Sequence, residues 1–483
     1  MTSPKRVFIS ADHGLAIIYF LQSEVVPSLL ERGVEVVILT DDSLKDAITE
    51  RFGRPGLTVE GLRFGQARKY FENNSHSIQH WMHFLRWMGG SKRINTTAMD
   101  GHMRQMSVEA SKRGKQILPL IKGITWVMRR SKHARKALVN AQARYTPNIY
   151  SDLFDKYQPD LVIASTPGWR LDRFLLREAA KRGISTAAVI VGWDNPSSYR
   201  LPGARVDYIN CWSEIQKREL VLGSDWQPER VNIGGIPSYD GYFRRDWLMP
   251  RDEYFALHGL DPNRKLLSFA CSFVTFSPNY QDIEALARLV DSDRLVEPSQ
   301  LLIRLHPNHF MPGSLYEQEA NRVRELVKRT KHVHLVEPVA LGGELGHYSG
   351  EDMPEKASMM AHCDVFLTVY STMVVETAIH ERPIVSVCID APGGWNKSGK
   401  FSLSLSEIGE WPTHERFRWA EAGRVAFNEE ELCEHVNRYL RDPQADADQR
   451  RKFIQDECTY TNGNAGKRTG DWVYGLLMKE DGR

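Results

Sequence analysis

The sequence is poor in cysteine and has no long apolar run. Its 483 residues include six cysteines, scattered without a CxxC pair, which predicts reduced, buried thiols and no zinc site. No window approaches the roughly 18 apolar residues of a membrane-spanning helix, and the start lacks the features of a secretory signal. We therefore expect a cytosolic protein with no metal or other cofactor.

The chain also lacks a strong net charge. A formal net charge of +2 gives no reason to expect a nucleic-acid partner. One segment departs from this balance, since residues 111–144 hold ten Lys or Arg and no Asp or Glu. Such a basic, amphipathic segment could hold the protein on the inner face of an anionic membrane, or it could be an ordinary solvated helix face.

Apolar runs alternate with amphipathic segments along most of the chain, which is typical of parallel sheets covered by helices. The length predicts two domains. We predict an α/β protein with two Rossmann-like, doubly wound domains facing a cleft. The first covers 1–245, with a helical insertion at about 66–150. The second covers 246–455, and a helical segment at 456–483 could pack back on the first.

The segment "LTVYSTMVVETAIHERPIV" predicts a strand, a sharp turn, a helix and another strand. Ser371 and Thr372 lie at the turn, where free backbone N–H groups and the helix dipole favour phosphate oxygens. Glu376 lies about one helical turn further on, where it could bind ribose hydroxyls. The alternative is an ordinary serine cap followed by an exposed glutamate.

A second polar turn follows the strand "LLIRLHP". Because parallel strands end at the same edge of a sheet, Arg304 and His306 are expected near the Ser371 turn. His306 could donate to a diphosphate and stabilise its developing charge, and Arg304 could add bidentate contacts if it faces the cleft. The alternative is that His306 only makes local hydrogen bonds.

This pairing of "RLHP" with "VYSTMVVETAIHERPIV" resembles the HP and Ser-Ser/Thr motifs of cytidine-nucleotide users with the GT-B glycosyltransferase fold. These include bacterial sialyltransferases, capsule Kdo transferases and teichoic acid glycerophosphotransferases. The resemblance implies that His306 contacts the donor phosphate, that Ser371 and Thr372 bind phosphate and that Glu376 binds ribose. It also implies that the loop "SADHG" faces an acceptor.

Three side chains are candidates for the general base that takes the proton of the acceptor hydroxyl. Asp12 and His13 lie in the loop that follows the first strand, and Asp194 follows a later strand in "GWDNP". Both residue types can be tuned to titrate near neutral pH. The alternatives are a helix cap at Asp12, a packed His13 and an Asx turn at Asp194.

Acceptor binding is expected from small and aromatic residues at the same edge of the first sheet. Gly14 would let the backbone approach a sugar ring closely. Trp169 and Arg170 open a helix at this edge, and Trp193 flanks Asp194. Simple packing is the alternative for the two residues that open the helix.

Together these features predict an enzyme that moves a sugar from a nucleotide-activated donor to a cell-surface glycan or lipid-linked acceptor. Positions 368 and 384, eight residues from Glu376, are Thr and Ile. Retaining enzymes of the fold often carry a second glutamate at that spacing, so its absence favours inversion. A CDP-polyol phosphotransferase and a non-catalytic nucleotide-sugar-binding protein are the alternatives.

Overall fold

The computed structural model describes residues 4–198, 201–272, 279–292, 294–310, 315–339, 349–390 and 403–480. Within these ranges, thirteen strands form two parallel sheets. Most of the strand residues are buried on both faces, as the apolar runs require. The predicted α/β class with two doubly wound sheets is confirmed.

The first sheet is built from the N-terminal half of the chain. Its strands are β1 Arg6–Ser10, β2 Glu35–Thr40, β3 Leu57–Gly61, β4 Leu161–Ala164, β5 Ser185–Val189, β6 Tyr208–Cys211 and β7 Val231–Ile233. They lie in the order β3-β2-β1-β4-β5-β6-β7. The order reverses direction between β1 and β4, and ligands of open α/β sheets bind outside such a switch point.

Helices cover both faces of this sheet. They are α1 Gly14–Ile17, continued by a π-helical turn Ile18–Gln22, α2 Val25–Leu30, α3 Lys45–Phe52, α9 Ser151–Tyr157, α10 Arg173–Lys181, α11 Asn195–Ser198, α12 Glu214–Ser224 and α13 Asp240–Arg244. Between β3 and β4 the chain forms a helical insertion with its own apolar cluster. Its helices are α4 Phe64–Asn73, α5 His76–Met88, α6 Thr97–Glu109, α7 Lys112–Arg130 and α8 Lys132–Ala141.

The second sheet repeats the pattern. Its strands are β8 Lys265–Ala270, β9 Ser299–Arg304, β10 Val333–Val336, β11 Val365–Thr368, β12 Ile384–Val387 and β13 Arg424–Ala426, in the order β10-β9-β8-β11-β12-β13. Its helices are α14 Arg251–Leu257, α15 Tyr280–Asp291, α16 Leu315–Arg329, α17 Met353–His362, α18 Met373–Ile379, α19 Leu405–Ile408, α20 Pro412–Trp419 and α21 Glu429–Arg441. The switch point lies between β8 and β11.

Two terminal helices complete the described chain, α22 Ala447–Cys458 and α23 Ala465–Glu480. Helix α23 lies against α2 of the first domain, where Val473 and Leu477 are fully buried in the first core cluster. An ion pair between Arg32 and Asp471 closes the contact. Helix α23 therefore packs on the first domain.

A separate apolar cluster joins the two domains. It contains Ile18 and Trp193 of the first domain together with Met353, Val374 and Val375 of the second. The two domains thus share a buried apolar interface. In the ranges that the structure describes, no helix has the length and apolar character needed to cross a bilayer.

Candidate functional site

The first polar turn of the site follows β1 and contains Asp12 and His13. Asp12 is a buried residue, and one of its carboxylate oxygens, Oδ1, lies 2.6 Å from His13 Nδ1. Ser165, which directly follows β4, donates its hydroxyl to the same oxygen at 2.7 Å. The loop after β1 and the loop after β4 therefore meet at the switch point of the first sheet.

Electrostatics fix the charge state of this pair. Burial acts to raise the pKa of Asp12, but the attraction of His13, hydrogen bonds from His13 and Ser165, and the positive charge of Arg170 lower it on balance. Burial is the main reason that the pKa of His13 is also lowered, and Arg170 adds to this effect against the pull of Asp12. At neutral pH the pair is thus a carboxylate beside a neutral imidazole.

This arrangement defines the tautomer of His13. A carboxylate at Nδ1 requires the proton on that nitrogen, so Nε2 carries the lone pair. The side chain of His13 is 14% exposed, against 1% for Asp12. His13 can therefore accept a proton, while Asp12 orients the ring, as a carboxylate does in hydrolase triads.

A third carboxyl group, Asp172, was not anticipated from the sequence. It is fully buried, accepts the Thr166 hydroxyl at 2.5 Å and immediately precedes α10. Burial, and then the negative charge of Asp12, raise the pKa of Asp172 to about 7. From the sequence alone, an aspartate before a helix indicates only a cap.

The two tryptophans predicted to contact an acceptor are both in the interior. Trp169 is 3% exposed and Trp193 is 1% exposed. Trp193 donates its indole N–H to Glu457 of α22 at 2.8 Å and packs edge-on against Phe453. The structure corrects the expectation for both rings, because burial gives them a packing role. Arg170 is exposed, as contact with a ligand requires.

Asp194 lies in the turn that begins α11. Its backbone oxygen accepts from the N–H groups of Ser197 and Ser198, at 3.1 and 2.8 Å. Its carboxylate has a long contact of 3.4 Å with the Ser198 hydroxyl. Burial raises the pKa of Asp194, so a role as proton acceptor stays open for this side chain.

In the second domain, the turn after β9 carries His306. The backbone N–H of Asn308 donates to His306 Nδ1 at 3.1 Å, so the proton of the neutral ring is on Nε2. The buried side chain of His309 stabilises this turn through hydrogen bonds at both of its ring nitrogens. Its Nδ1 accepts the backbone N–H of His306 at 2.9 Å, and its Nε2 donates to Glu319 at 2.8 Å.

Arg304 does not face this turn. Its guanidinium is 7% exposed and forms ion pairs with Asp352 and Glu355 beside α17. Successive side chains of a strand point to opposite faces, and the last residue of β9 points under the sheet toward these carboxylates. The expected contact of Arg304 with phosphate is corrected accordingly.

The turn after β11 has unusual backbone geometry. Tyr370 has a φ of 37°, in the left-handed region that non-glycine residues rarely adopt. The Ser371 hydroxyl accepts the Met373 N–H at 3.3 Å. Ser371 and Thr372 are both partly exposed. The two hydroxyl groups therefore stand at the end of β11, next to the switch point of the second sheet.

Glu376 is not available to a ribose in this structure. Its side chain is 6% exposed and lies 2.6 Å from Lys356 Nζ. Tyr242, on α13, donates its hydroxyl to the carboxylate at 2.8 Å. The predicted ribose contact is corrected, because Glu376 is on the buried face of α18 and connects that helix to α13 and α17.

Side chains next to the His13 and Ser371 turns pack on the apolar cluster that joins the two domains. Leu15 and Met373 pack against the same apolar cluster, and they lie two residues from His13 and Ser371 respectively. The ring of Tyr370 is 4.5 Å from that of His414, which in turn is 6.2 Å from Trp193. The turns after β1, β5 and β11 therefore lie around one interface.

Solved structures share this architecture across almost the whole chain. A UDP-GlcNAc 2-epimerase from Neisseria meningitidis, bound to UDP-GlcNAc, is 12% identical with a TM-score of 0.51, covering 98% of this chain and 100% of that one. A glycosyltransferase from Rickettsia africae is 11% identical with a TM-score of 0.52, covering 99% of each chain. The chain adopts the GT-B fold. At these identities the likeness shows the fold alone.

A UDP-GlcNAc 2-epimerase from Methanocaldococcus jannaschii gives a similar result, at 11% identity, a TM-score of 0.51 and 99% coverage of each chain. No protein-family model matches the sequence, and no curated protein matches it.

Within the described ranges, no group of three or more His, Cys, Asp or Glu side chains could hold a metal ion.

Proposed function

We propose that this GT-B chain is a glycosyltransferase that moves a sugar from a nucleotide-activated donor to a hydroxyl of a cell-surface glycan or glycolipid. One observation carries the proposal. Polar turns at the strand ends of two doubly wound sheets border one apolar cluster that joins the domains, with an oriented histidine in the first domain and a turn of serine and threonine hydroxyls in the second. The similar fold of a protein bound to UDP-GlcNAc supports a nucleotide-sugar donor.

The donor phosphates bind in the second domain. His306 keeps its proton on Nε2, because Nδ1 accepts the Asn308 N–H. The Nε2–H of His306 can donate to a phosphate oxygen, where it stabilises the negative charge that develops as the nucleotide leaves. Ser371 and Thr372 add hydroxyl groups at the neighbouring strand end. These protein donors replace a divalent ion in the proposed mechanism.

The acceptor binds in the first domain, near Gly14 and Arg170. His13 Nε2 takes the proton of the acceptor hydroxyl, and Asp12 stabilises the resulting imidazolium. The acceptor oxygen bonds to the anomeric carbon as the bond from that carbon to the phosphate oxygen breaks. The nucleotide leaves with the electron pair, and the configuration of the sugar inverts. Asp194 is the second candidate for the base.

Thermal unfolding in the presence of CMP, CDP, UDP, GDP and dTDP tests the donor site. A nucleotide at about 100 times its dissociation constant stabilises the folded protein by about 2.7 kcal/mol. We expect nucleotides with one particular nucleobase to stabilise the parent protein. This stabilisation should be lost in the His306→Ala and Ser371→Ala variants. The control is His332→Ala. His332 directly precedes β10, so it lies at the amino end of the strands, whereas His306 lies at their carboxyl end.

If millimolar nucleotide leaves the unfolding temperature unchanged, the proposal fails together with its donor site. If the control loses the effect as well, the two variants report general damage and the site assignment fails. Product analysis then separates the alternatives. Release of a nucleoside diphosphate from a sugar donor supports glycosyl transfer, whereas release of CMP from a CDP-polyol indicates a phosphotransferase. Binding without turnover on any acceptor indicates a non-catalytic protein.

A further inference from the structure

Helix α7 of the insertion has two apolar stripes, and only one of them is buried. The buried stripe packs on the insertion and consists of Leu118, Ile121, Thr125 and Met128. The second stripe repeats the same spacing one residue earlier and is exposed: Ile117, Leu120, Ile124 and Val127. An exposed apolar stripe contributes no burial of apolar surface to the folding of the isolated chain. Contiguous exposed apolar surface of this kind is typical of a docking site.

The exposure of this second stripe is large. Leu120 is 64% exposed, Val127 is 48% exposed, and the neighbouring Trp126 is 58% exposed. The guanidinium of Arg130 stacks over the Trp126 ring at 4.1 Å. Tryptophan beside a basic group is typical of side chains that sit at a membrane–water interface, where an apolar ring and a charge are both accommodated.

A basic cavity of about 260 Å³ lies at the C-terminal end of α7, where the helix meets α8 and the loop before α6. Six cationic side chains and one carboxylate line it: Lys92, Arg93, Arg129, Arg130, Lys132, Arg135 and Asp225. Asp225 neutralises Arg135 through contacts of 2.6 and 2.9 Å. Among the described residues that line the cavity, Asp225 is therefore the one carboxylate against six cations.

The charge balance of the cavity is strongly positive. Asp100, which lies outside the cavity, pairs with Arg129 at 2.6 Å. Asp100 and Asp225 together offset two of the six positive charges, so four remain in excess. A second nitrogen of Arg129, Nη2, is buried and has no hydrogen-bond partner within the described ranges. Several donors around a small cavity suit the oxygens of a phosphate group.

The chemistry of this surface selects its occupant. A second copy of the chain would bring two basic segments together, since residues 111–144 contain ten Lys or Arg and no Asp or Glu, and like charges repel. An anionic bilayer offers apolar volume and negative charge side by side. We propose that α7 docks the chain on an anionic membrane, with its exposed stripe among the headgroups and a lipid phosphate in the basic cavity.

Vesicle co-sedimentation of the full chain tests this docking. We expect binding to vesicles of phosphatidylcholine with one part in about three of phosphatidylglycerol, and little binding to phosphatidylcholine alone. Each lysine near such a surface contributes about fivefold to the affinity. Lys92→Gln with Lys132→Gln should therefore weaken binding about 30-fold. Leu120→Ser with Val127→Ser should weaken it at least tenfold.

Matched controls lie in the second domain. Lys328→Gln with Lys331→Gln removes the same charge from exposed lysines. Leu257→Ser with Val296→Ser removes side chains that are 59% and 41% exposed, close to the exposure of the stripe. Both control pairs should bind as the parent protein does. The proposal is overturned if the parent does not bind anionic vesicles, or if controls and test variants weaken equally.

Two further measurements separate other occupants. Isothermal titration with inorganic pyrophosphate measures binding of a soluble phosphate. If pyrophosphate binds in a manner that depends on Lys92 and Lys132, and vesicles do not bind, the cavity is assigned to a soluble phosphate and the membrane proposal is overturned. Sedimentation velocity measures the oligomeric state. If the parent protein is a dimer that dissociates in the Leu120→Ser, Val127→Ser double variant, and vesicles do not bind, the stripe is assigned to a second copy of the chain and the membrane proposal is overturned. Neither result bears on nucleotide binding, so this inference and the proposed function fail independently.

Discussion

Replacing Glu376 by glutamine distinguishes a structural role from the ribose contact that the sequence predicts. The carboxylate lies 2.6 Å from Lys356 Nζ, and the two side chains are 6% and 15% exposed. Breaking a buried ion pair costs about 3 to 5 kcal/mol, because one charge stays buried without its partner. Since Lys356 keeps some contact with water, we expect about 3 kcal/mol.

For a domain of roughly 200 residues, that loss lowers the unfolding temperature by about 6 to 12 °C. Differential scanning calorimetry measures the change, and isothermal titration with the stabilising nucleotide measures donor affinity, which should stay within about twofold of the parent. The double variant Glu376→Gln with Lys356→Met should recover part of the stability, because it removes the unpaired ammonium. Unchanged stability combined with lost nucleotide affinity would restore the ribose role and refute this reasoning.

Three other predictions concern the proposed site and its surroundings. Asp12→Asn should lower the transfer rate by about 10² to 10⁴ while leaving the nucleotide-dependent stabilisation intact, as steady-state kinetics and thermal unfolding would show; an equal loss of both would contradict it. Burial, with the charges of Arg416 and Arg418, lowers the pKa of His414 to about 3. Between about pH 6.5 and 3 the unfolded chain then binds a proton that the folded chain does not. The free energy of unfolding should fall by about 1.4 kcal/mol per pH unit as the pH is lowered there, and His414→Gln should flatten the slope in denaturant titrations. Transfer should persist in excess EDTA, since protein groups are proposed to stabilise the leaving phosphate; loss that added Mg²⁺ restores would disprove this.

The fold could be predicted because its signals are local. The segments that become β1, β9 and β11 each contain three consecutive apolar residues, which favours a sheet covered on both faces. Parallel strands end at one edge, so the turns holding Asp12, His13, His306 and Ser371 could be assigned to the carboxyl edges of their sheets without coordinates. Their positions follow from chain direction alone.

Side-chain direction was harder to predict. Arg304 ends a strand beside the His306 turn, yet its guanidinium points to carboxylates that lie about 50 positions later in the chain. A signal did exist for Glu376, because Val374, Val375, Thr377 and Ala378 surround it in sequence and a glutamate in such a run is often buried with a partner. His309 and Glu319 meet only because α16 packs against the turn that follows β9.

Two of the corrected residues, Glu376 and Trp193, lie in contacts that hold the two domains together. Glu376 links α18 to α13 across the interface, and Trp193 donates to Glu457 of α22. Arg416 lies 2.6 Å from Glu457 and 2.9 Å from Glu219 of the first domain. These contacts set the relative position of the His13 and His306 turns, and a small error in that position costs rate before it costs affinity. Variants of the interface should therefore lower the transfer rate more than they weaken nucleotide binding, whereas variants of His306 and Ser371 should impair both.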